Sequence, residues 1–233
     1  MADFSTFCAV AAGGDSLPWI ARFDLPGFGT SPAPQEPAGS QEYARIVAVA
    51  IGQVVSSMPD PASVKVVGIG HSFGGRIAIS LTSLSQYGFE LVGLLLTGVP
   101  LLRSQEMIPK PKTSFRIARF LSRYGLISNS RMETLRSRYG STDYRNAAGV
   151  MRGVLVKVVN EDYSELLERL EIPVSLLWGT DDLVAPLAVA ERAMMLCPRQ
   201  VSLQTVPGDH FIAVSSPKVL LDAVEDLVQR TTK

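Results

Sequence analysis

Short apolar runs alternate with longer stretches of helical period along most of this chain. Residues 64–69, 91–97 and 174–178 are largely apolar and rich in Val, Ile and Leu, and residues 19–23 and 201–206 are short stretches of strand-forming residues. Each reads as a strand. Between them the apolar positions recur every three or four residues. Residues 40–58 place Tyr43, Ile46, Val47, Ala50 and Val54 along one helical face. Residues 3–12, 72–87 and 186–196 read as further helices, the first ended by Gly13-Gly14 and the last carrying a proline near its start. Ser216 and Pro217 open the final helix as N-cap and first-turn residues, with Val219, Leu220, Ala223, Val224 and Leu227 facing inward. Strand and helix in alternation predict an α/β fold, a mostly parallel sheet flanked by helices. The run at 91–97 has no polar alternation, as expected for a strand covered on both faces.

The stretch from 101 to 170 breaks this rhythm. It is helical in pattern, with Ile117, Phe120, Leu121 and Tyr124 at one spacing and Arg116, Arg119 and Arg123 on another face; Met151, Val154, Leu155 and Val158 repeat the apolar spacing. The expected organisation is a core of residues 1–100 and 171–233 with a helical insertion at 101–170. The chain's net charge is zero, but residues 101–160 hold 12 Lys or Arg against 3 Asp or Glu, a local excess of +9. One reading is a solvated face. The other is attraction of an anionic substrate or an anionic membrane surface. Nucleic acid is not expected, because no aromatic residues interleave the basic ones in a binding motif. No apolar run approaches the roughly 20 residues of a membrane span. No basic segment precedes residues 7–12, so a cleaved signal is not expected. Cys8 and Cys197 lack metal or redox spacing and read as reduced thiols of a cytoplasmic protein.

The candidate chemistry lies at strand ends. Gly70-His71-Ser72-Phe73-Gly74-Gly75 follows one strand and opens a helix, which is the G-x-S-x-G pattern of a nucleophile elbow. A serine hydroxyl needs a base to take its proton. The chain has two histidines; His71 is locked beside Ser72 and reads as structural, its side chain turned away, so His210 is the remaining base. His210 follows the strand at 201–206. The Phe73 amide, at the start of a helix, is placed to donate to an oxyanion. Asp181 and Asp182 follow the strand at 174–178; one carboxylate would orient the histidine, and the other would serve a turn.

Together these segments resemble the α/β-hydrolase fold superfamily. The resemblance is carried by Asp24-Leu25-Pro26-Gly27-Phe28-Gly29-Thr30-Ser31, the elbow at 70–75, the segment 178–186 and Gly208-Asp209-His210. It extends from about residue 19 to the end of the chain. The family's acid is the fourth residue of G-x-x-D, which here is Asp182. The insertion matches the family's cap, which shapes the substrate pocket, so Phe115, Phe120, Tyr124 and Met151 become candidates for substrate contact. The resemblance implies a serine hydrolase acting on a carboxylic ester or thioester, with no metal or organic cofactor and a small-molecule substrate. C–C bond hydrolysis is an alternative within the same group; relatives with aspartate at the elbow, such as dehalogenases, are disfavoured by Ser72. One departure stands out. The family has three strands before the helix that leads into its D-x-P-G-x-G segment, and a His-Gly loop that completes the oxyanion hole. Only 18 residues precede Trp19 here, so these N-terminal strands are expected to be missing. That leaves a slot beside residues 64–69 unless 19–23 moves into it, or unless residues 11–14 form a short strand and oxyanion loop. This departure motivates a second reading, a non-catalytic relative that binds a ligand.

Overall fold

The computed structural model describes residues 5–11, 19–85, 87–103, 147–198 and 200–231. Within them the order is α1 (Ser5–Ala11), α2 (Ser40–Ser56), β1 (Lys65–His71), α3 (Phe73–Leu81), β2 (Glu90–Thr97), α4 (Gly149–Val158), α5 (Ser164–Glu168), β3 (Val174–Gly179), α6 (Leu187–Leu196), β4 (Val201–Val206), α7 (Ile212–Ser215) and α8 (Pro217–Thr231). The four strands form one sheet in the order β1-β2-β3-β4, and every neighbouring pair is parallel. The chain therefore returns through helices after each strand, and all four carboxyl ends lie along one edge of the sheet.

The apolar run of β2 is used on both faces. Leu94 and Leu96 join Ile79, Leu176, Trp178, Val189 and Ala193 in one buried cluster. Leu95 points the other way and packs with Leu177, Phe7, Leu220 and Leu227, beneath α1 and α8. This period-2 division explains why no polar residue interrupts the strand. A third cluster joins α2, α3 and α4 through Tyr43, Ala44, Ile77, Val154 and Val158.

Three expectations are corrected. Residues 19–23 do not form a strand: they join no ladder, and Trp19 is 74% exposed. Their composition suits a strand, but strand structure needs pairing with a partner edge, and these residues make none. In α2 the buried face is Tyr43, Ala44, Ala48 and Val55, while Ile46 is exposed. The small alanines lie under α3, so the contact face is rotated from the one marked by the largest side chains. The helix expected over 72–87 ends at Leu81, where the Thr82 and Ser83 hydroxyls donate to the Ile79 and Ser80 carbonyls at 2.7 and 2.8 Å. Among the described residues β1 pairs only with β2, so its other edge carries no strand. No helix among them is long and apolar enough to cross a membrane.

The turn from β1 into α3 is tight enough to require glycine. A Cβ on Gly70 would fall on the Gly75 backbone, 2.8 Å from both the Gly74 carbonyl oxygen and the Gly75 nitrogen. Backbone cannot move aside as a flexible side chain does. Gly70→Ala is expected to lower stability by about 2–3 kcal/mol in urea unfolding, as overpacking does; a loss under about 0.5 kcal/mol would show that the turn has slack.

Candidate active site

Four strand ends supply the site. β1 delivers His71 and Ser72, β2 delivers Thr97 and Gly98, the turn after β3 carries Asp182, and the turn after β4 carries His210. The register places His71 opposite Thr97 and Gly179 opposite Val206; Thr97 pairs with Leu177, so β3 and β4 run two residues further along the same edge.

Ser72 sits between strand and helix with φ 50° and ψ −116°. This left-handed backbone is strained for a residue with a side chain, by about 1–3 kcal/mol, and such strain persists only where its surroundings enforce it. Here the Ser72 amide donates to the Thr97 carbonyl at 3.0 Å, while the Ser72 carbonyl accepts from Gly75 and Arg76 at the start of α3. Phe73 is the first residue of α3, so its amide has no acceptor within the helix. Its ring anchors the turn: it meets Tyr43 edge-on at 5.0 Å and Phe28 at 5.8 Å. Through Phe28 the elbow is tied to the loop at 24–31, which folds on itself around Asp24. That carboxylate accepts from the Thr30 amide at 3.1 Å and hydroxyl at 3.2 Å.

Asp182 is 3% exposed and uses both carboxylate oxygens. Oδ1 accepts from the Val184 and Ala185 amides, each at 2.8 Å, and Oδ2 faces His210 Nδ1 at 2.8 Å. Burial pushes the Asp182 carboxyl up, but the hydrogen bonds from His210, Ala185 and Val184, with the charge of His210, outweigh it and hold the pKa below its ordinary value. Asp182 therefore remains ionised, and the His210 proton lies on Nδ1, leaving Nε2 as the acceptor. Asp181 is exposed, and its carboxylate faces only the Thr180 hydroxyl, at 3.4 Å. Gly98, at φ +57°, makes the approach possible: a Cβ there would lie 3.0 Å from His210 Nδ1 and 3.2 Å from Asp182 Oδ2.

His71 does not turn away. Its ring centre is 4.7 Å from that of His210, with the planes at 52°, and Phe211 flanks both rings. His71 Nδ1 lies 3.1 Å from the Thr97 carbonyl, which fixes the proton on Nδ1. Thr97, Gly98, His71 and Phe211 thus belong to the neighbourhood of the site and were not marked by pattern. The one available signal was position: His71, Thr97 and Gly98 stand at or next to a strand's carboxyl end, and Phe211 follows His210 on the loop after β4. Of the proposed substrate contacts, Phe115, Phe120 and Tyr124 lie outside the described residues. Met151 is in α4, half-buried, filling the space that a side chain on Gly27 would take. Residues 12–14, considered for a second oxyanion donor, also lie outside the described residues, and Ala11 ends α1. Among the described residues no group of acidic, His or Cys side chains is arranged to hold a metal.

A strand-elbow-helix serine, and a buried Asp–His pair on the next loops, place the chain among known proteins. A model of the alpha/beta hydrolase family matches residues 3–223. The chain belongs to that family. Solved structures agree in fold. A hydrolase from Pseudomonas aeruginosa PA01 superposes with a TM-score of 0.60 at 18% identity, over 89% of this chain and 78% of that one. A thermophilic esterase from Thermogutta terrifontis gives 0.58 at 20%, over 90% and 79%. A meta-cleavage product hydrolase gives 0.56 at 15%, over 88% and 78%. No curated protein matches the chain.

Burial, followed by the charge on His210, lowers the His71 pKa of this alpha/beta hydrolase from 6.5 to about 4. In the unfolded chain the same ring takes a proton near 6.5. Between those values the unfolded state binds more protons, so stability is full above pH 6.5, falls as pH drops toward 4, and levels off below. The loss attributable to His71 reaches as much as about 3 kcal/mol. His71→Phe, which cannot titrate, is expected to flatten urea-derived stability between pH 7 and 4.5 relative to wild type; an unchanged slope would mean that His71 protonates in the fold as readily as in the unfolded chain.

Proposed function

We propose that this alpha/beta hydrolase is a serine hydrolase that cleaves a carboxylic ester or thioester. The observation that carries the reading is the buried 2.8 Å contact between Asp182 and His210 Nδ1, beside a serine held in a strained turn. Ser72 Oγ attacks the carbonyl carbon and gives its proton to His210 Nε2. Asp182 fixes the tautomer and stabilises the imidazolium. The Phe73 amide, at the positive end of α3, donates to the oxyanion. The carbon–oxygen or carbon–sulfur bond then breaks, and His210 returns its proton to the departing alkoxide or thiolate. Water, deprotonated by His210, releases the acyl group from Ser72 as a carboxylic acid. Residues 101–170 serve as the cap, with their basic side chains favouring an anionic substrate.

The meta-cleavage product hydrolase among the structural neighbours supports C–C bond hydrolysis as a second reading, with the same three residues. A screen over p-nitrophenyl esters of graded chain length and a vinylogous 1,5-diketone acid separates the two. Turnover of esters is expected. Ser72→Ala should lower kcat by about 10³-fold or more, and Asp182→Asn by about 10³–10⁴-fold, each with KM changed little. Turnover of the diketone alone would favour the second reading. Ester hydrolysis that persists in Ser72→Ala, or tight ligand binding with no turnover by wild type, would remove the serine-hydrolase reading.

A further inference from the structure

His71 is a buried histidine for which the mechanism above has no use. Among the described residues, four neighbours of the His210 ring bear on its orientation. Asp182 holds Nδ1 at 2.8 Å, Gly98 closes one side, Phe211 stands edge-on at 5.4 Å, and the His71 ring leans against it at 4.7 Å. Take His71 away and one side of that ring has no wall. The hydrogen bond to Asp182 and the edge of Phe211 remain, but His71 is the neighbour that resists rotation of the ring about its side-chain torsions on that side. His71 itself is well fixed. It is the last residue of β1, it is 7% exposed, and its Nδ1–H donates to the Thr97 carbonyl that also receives the Ser72 amide. One carbonyl thus places both the elbow and the ring that touches the base.

We propose that His71 is a positioning residue: its neutral imidazole, braced on the Thr97 carbonyl, buttresses the His210 ring in the orientation that carries a proton between Ser72 and the leaving group. This inference rests on the assignment of Ser72, His210 and Asp182 made above. Among the described residues, the charged and titratable groups that act on His71 are His210 and Asp182, on the loops after β4 and β3. A neutral neighbour suits the chemistry. His210 becomes an imidazolium in each half of the reaction, and a second positive ring at this distance would oppose it. The low pKa of His71 is consistent with a ring that leaves this charge to His210.

Two substitutions separate the wall from the tether. His71→Asn keeps a donor at the position of Nδ1, able to reach Thr97, but has no ring. His71→Phe keeps a ring and loses the donor. With p-nitrophenyl butyrate as the probe, His71→Asn is expected to lower kcat by about tenfold or more, because misplacement of a reacting group by a fraction of an ångström is enough. KM should stay within about twofold, as ground-state binding is untouched. His71→Phe should keep kcat within about threefold of wild type. A purely structural role gives the opposite order, with the Asn variant active and the Phe variant impaired, and either result overturns the proposal. In the wild-type chain, nuclear Overhauser contact between the ring protons of His71 and His210 is expected from their separation; its absence overturns the proposal without any variant. Ser72→Ala runs alongside. If it is inactive while His71→Asn matches wild type, the positioning role fails and the hydrolase assignment stands. If Ser72→Ala retains activity, the assignment itself has failed.

Discussion

One buried contact, Asp182 Oδ2 to His210 Nδ1, constrains the rest of the site. A carboxylate this enclosed is costly unless each oxygen is met by a donor. The Val184 and Ala185 amides satisfy one oxygen, which obliges residues 182–185 to form a tight turn after β3; Trp178 Nε1 closes the same turn on the Ala185 carbonyl at 2.7 Å. His210 satisfies the other oxygen, and this requires the loop after β4 to reach across to β3. That reach is possible because Gly98 and Gly179 leave room for it, the second admitting the Gly208 and Asp209 backbone. The sheet supplies the remaining condition: parallel register pairs Thr97 with Leu177 and Gly179 with Val206, so the loops after β2, β3 and β4 leave from the same edge.

The elbow is the counterpart of that contact. Ser72 is held in a backbone conformation that it would not adopt alone, by the Thr97 carbonyl on one side and the first turn of α3 on the other. The strain is local, and the support is not. Phe73 transmits it to Tyr43 and Phe28, so α2 and the loop at 24–31 both bear on the serine's position. Tyr43 adds a hydrogen bond from its hydroxyl to the Pro26 carbonyl at 2.8 Å, closing the loop against the helix. α4 completes the same body through Met151 and the buried Arg76, whose guanidinium donates to the Val158 carbonyl. The segment that returns from residues 104–146 is thereby fastened to the elbow helix itself.

Much of this was legible in the chain because burial on two faces leaves a strong imprint. The unbroken apolar run of β2, the elbow glycines and the strand-then-carboxylate order of β3 each follow from a single physical demand. What pattern did not give depends on partners. Residues 19–23 have strand composition, yet composition does not supply an edge to pair with. In α2, alanine marks the buried face because α3 passes close, and a reading by side-chain size selects Ile46 instead. The direction of the His71 side chain escapes pattern for a related reason. A strand's alternation predicts which face a residue takes, but at the last position before a left-handed serine the relevant question is which loops arrive there from elsewhere. The residues alone leave Asp181 and Asp182 open; the G-x-x-D spacing of the resemblance points to Asp182, and that carboxylate, not Asp181, meets His210 28 positions away.

The central claim is that Ser72 is the nucleophile served by His210 and Asp182. The most direct measurement is peptide-mapping mass spectrometry of the full chain after reaction with a fluorophosphonate, before and after denaturation. One equivalent of label per native chain is expected, on the peptide bearing Ser72, and none on the denatured chain, because the reactivity belongs to the folded arrangement. Label on another serine, or equal labelling of the denatured chain, would contradict the central claim.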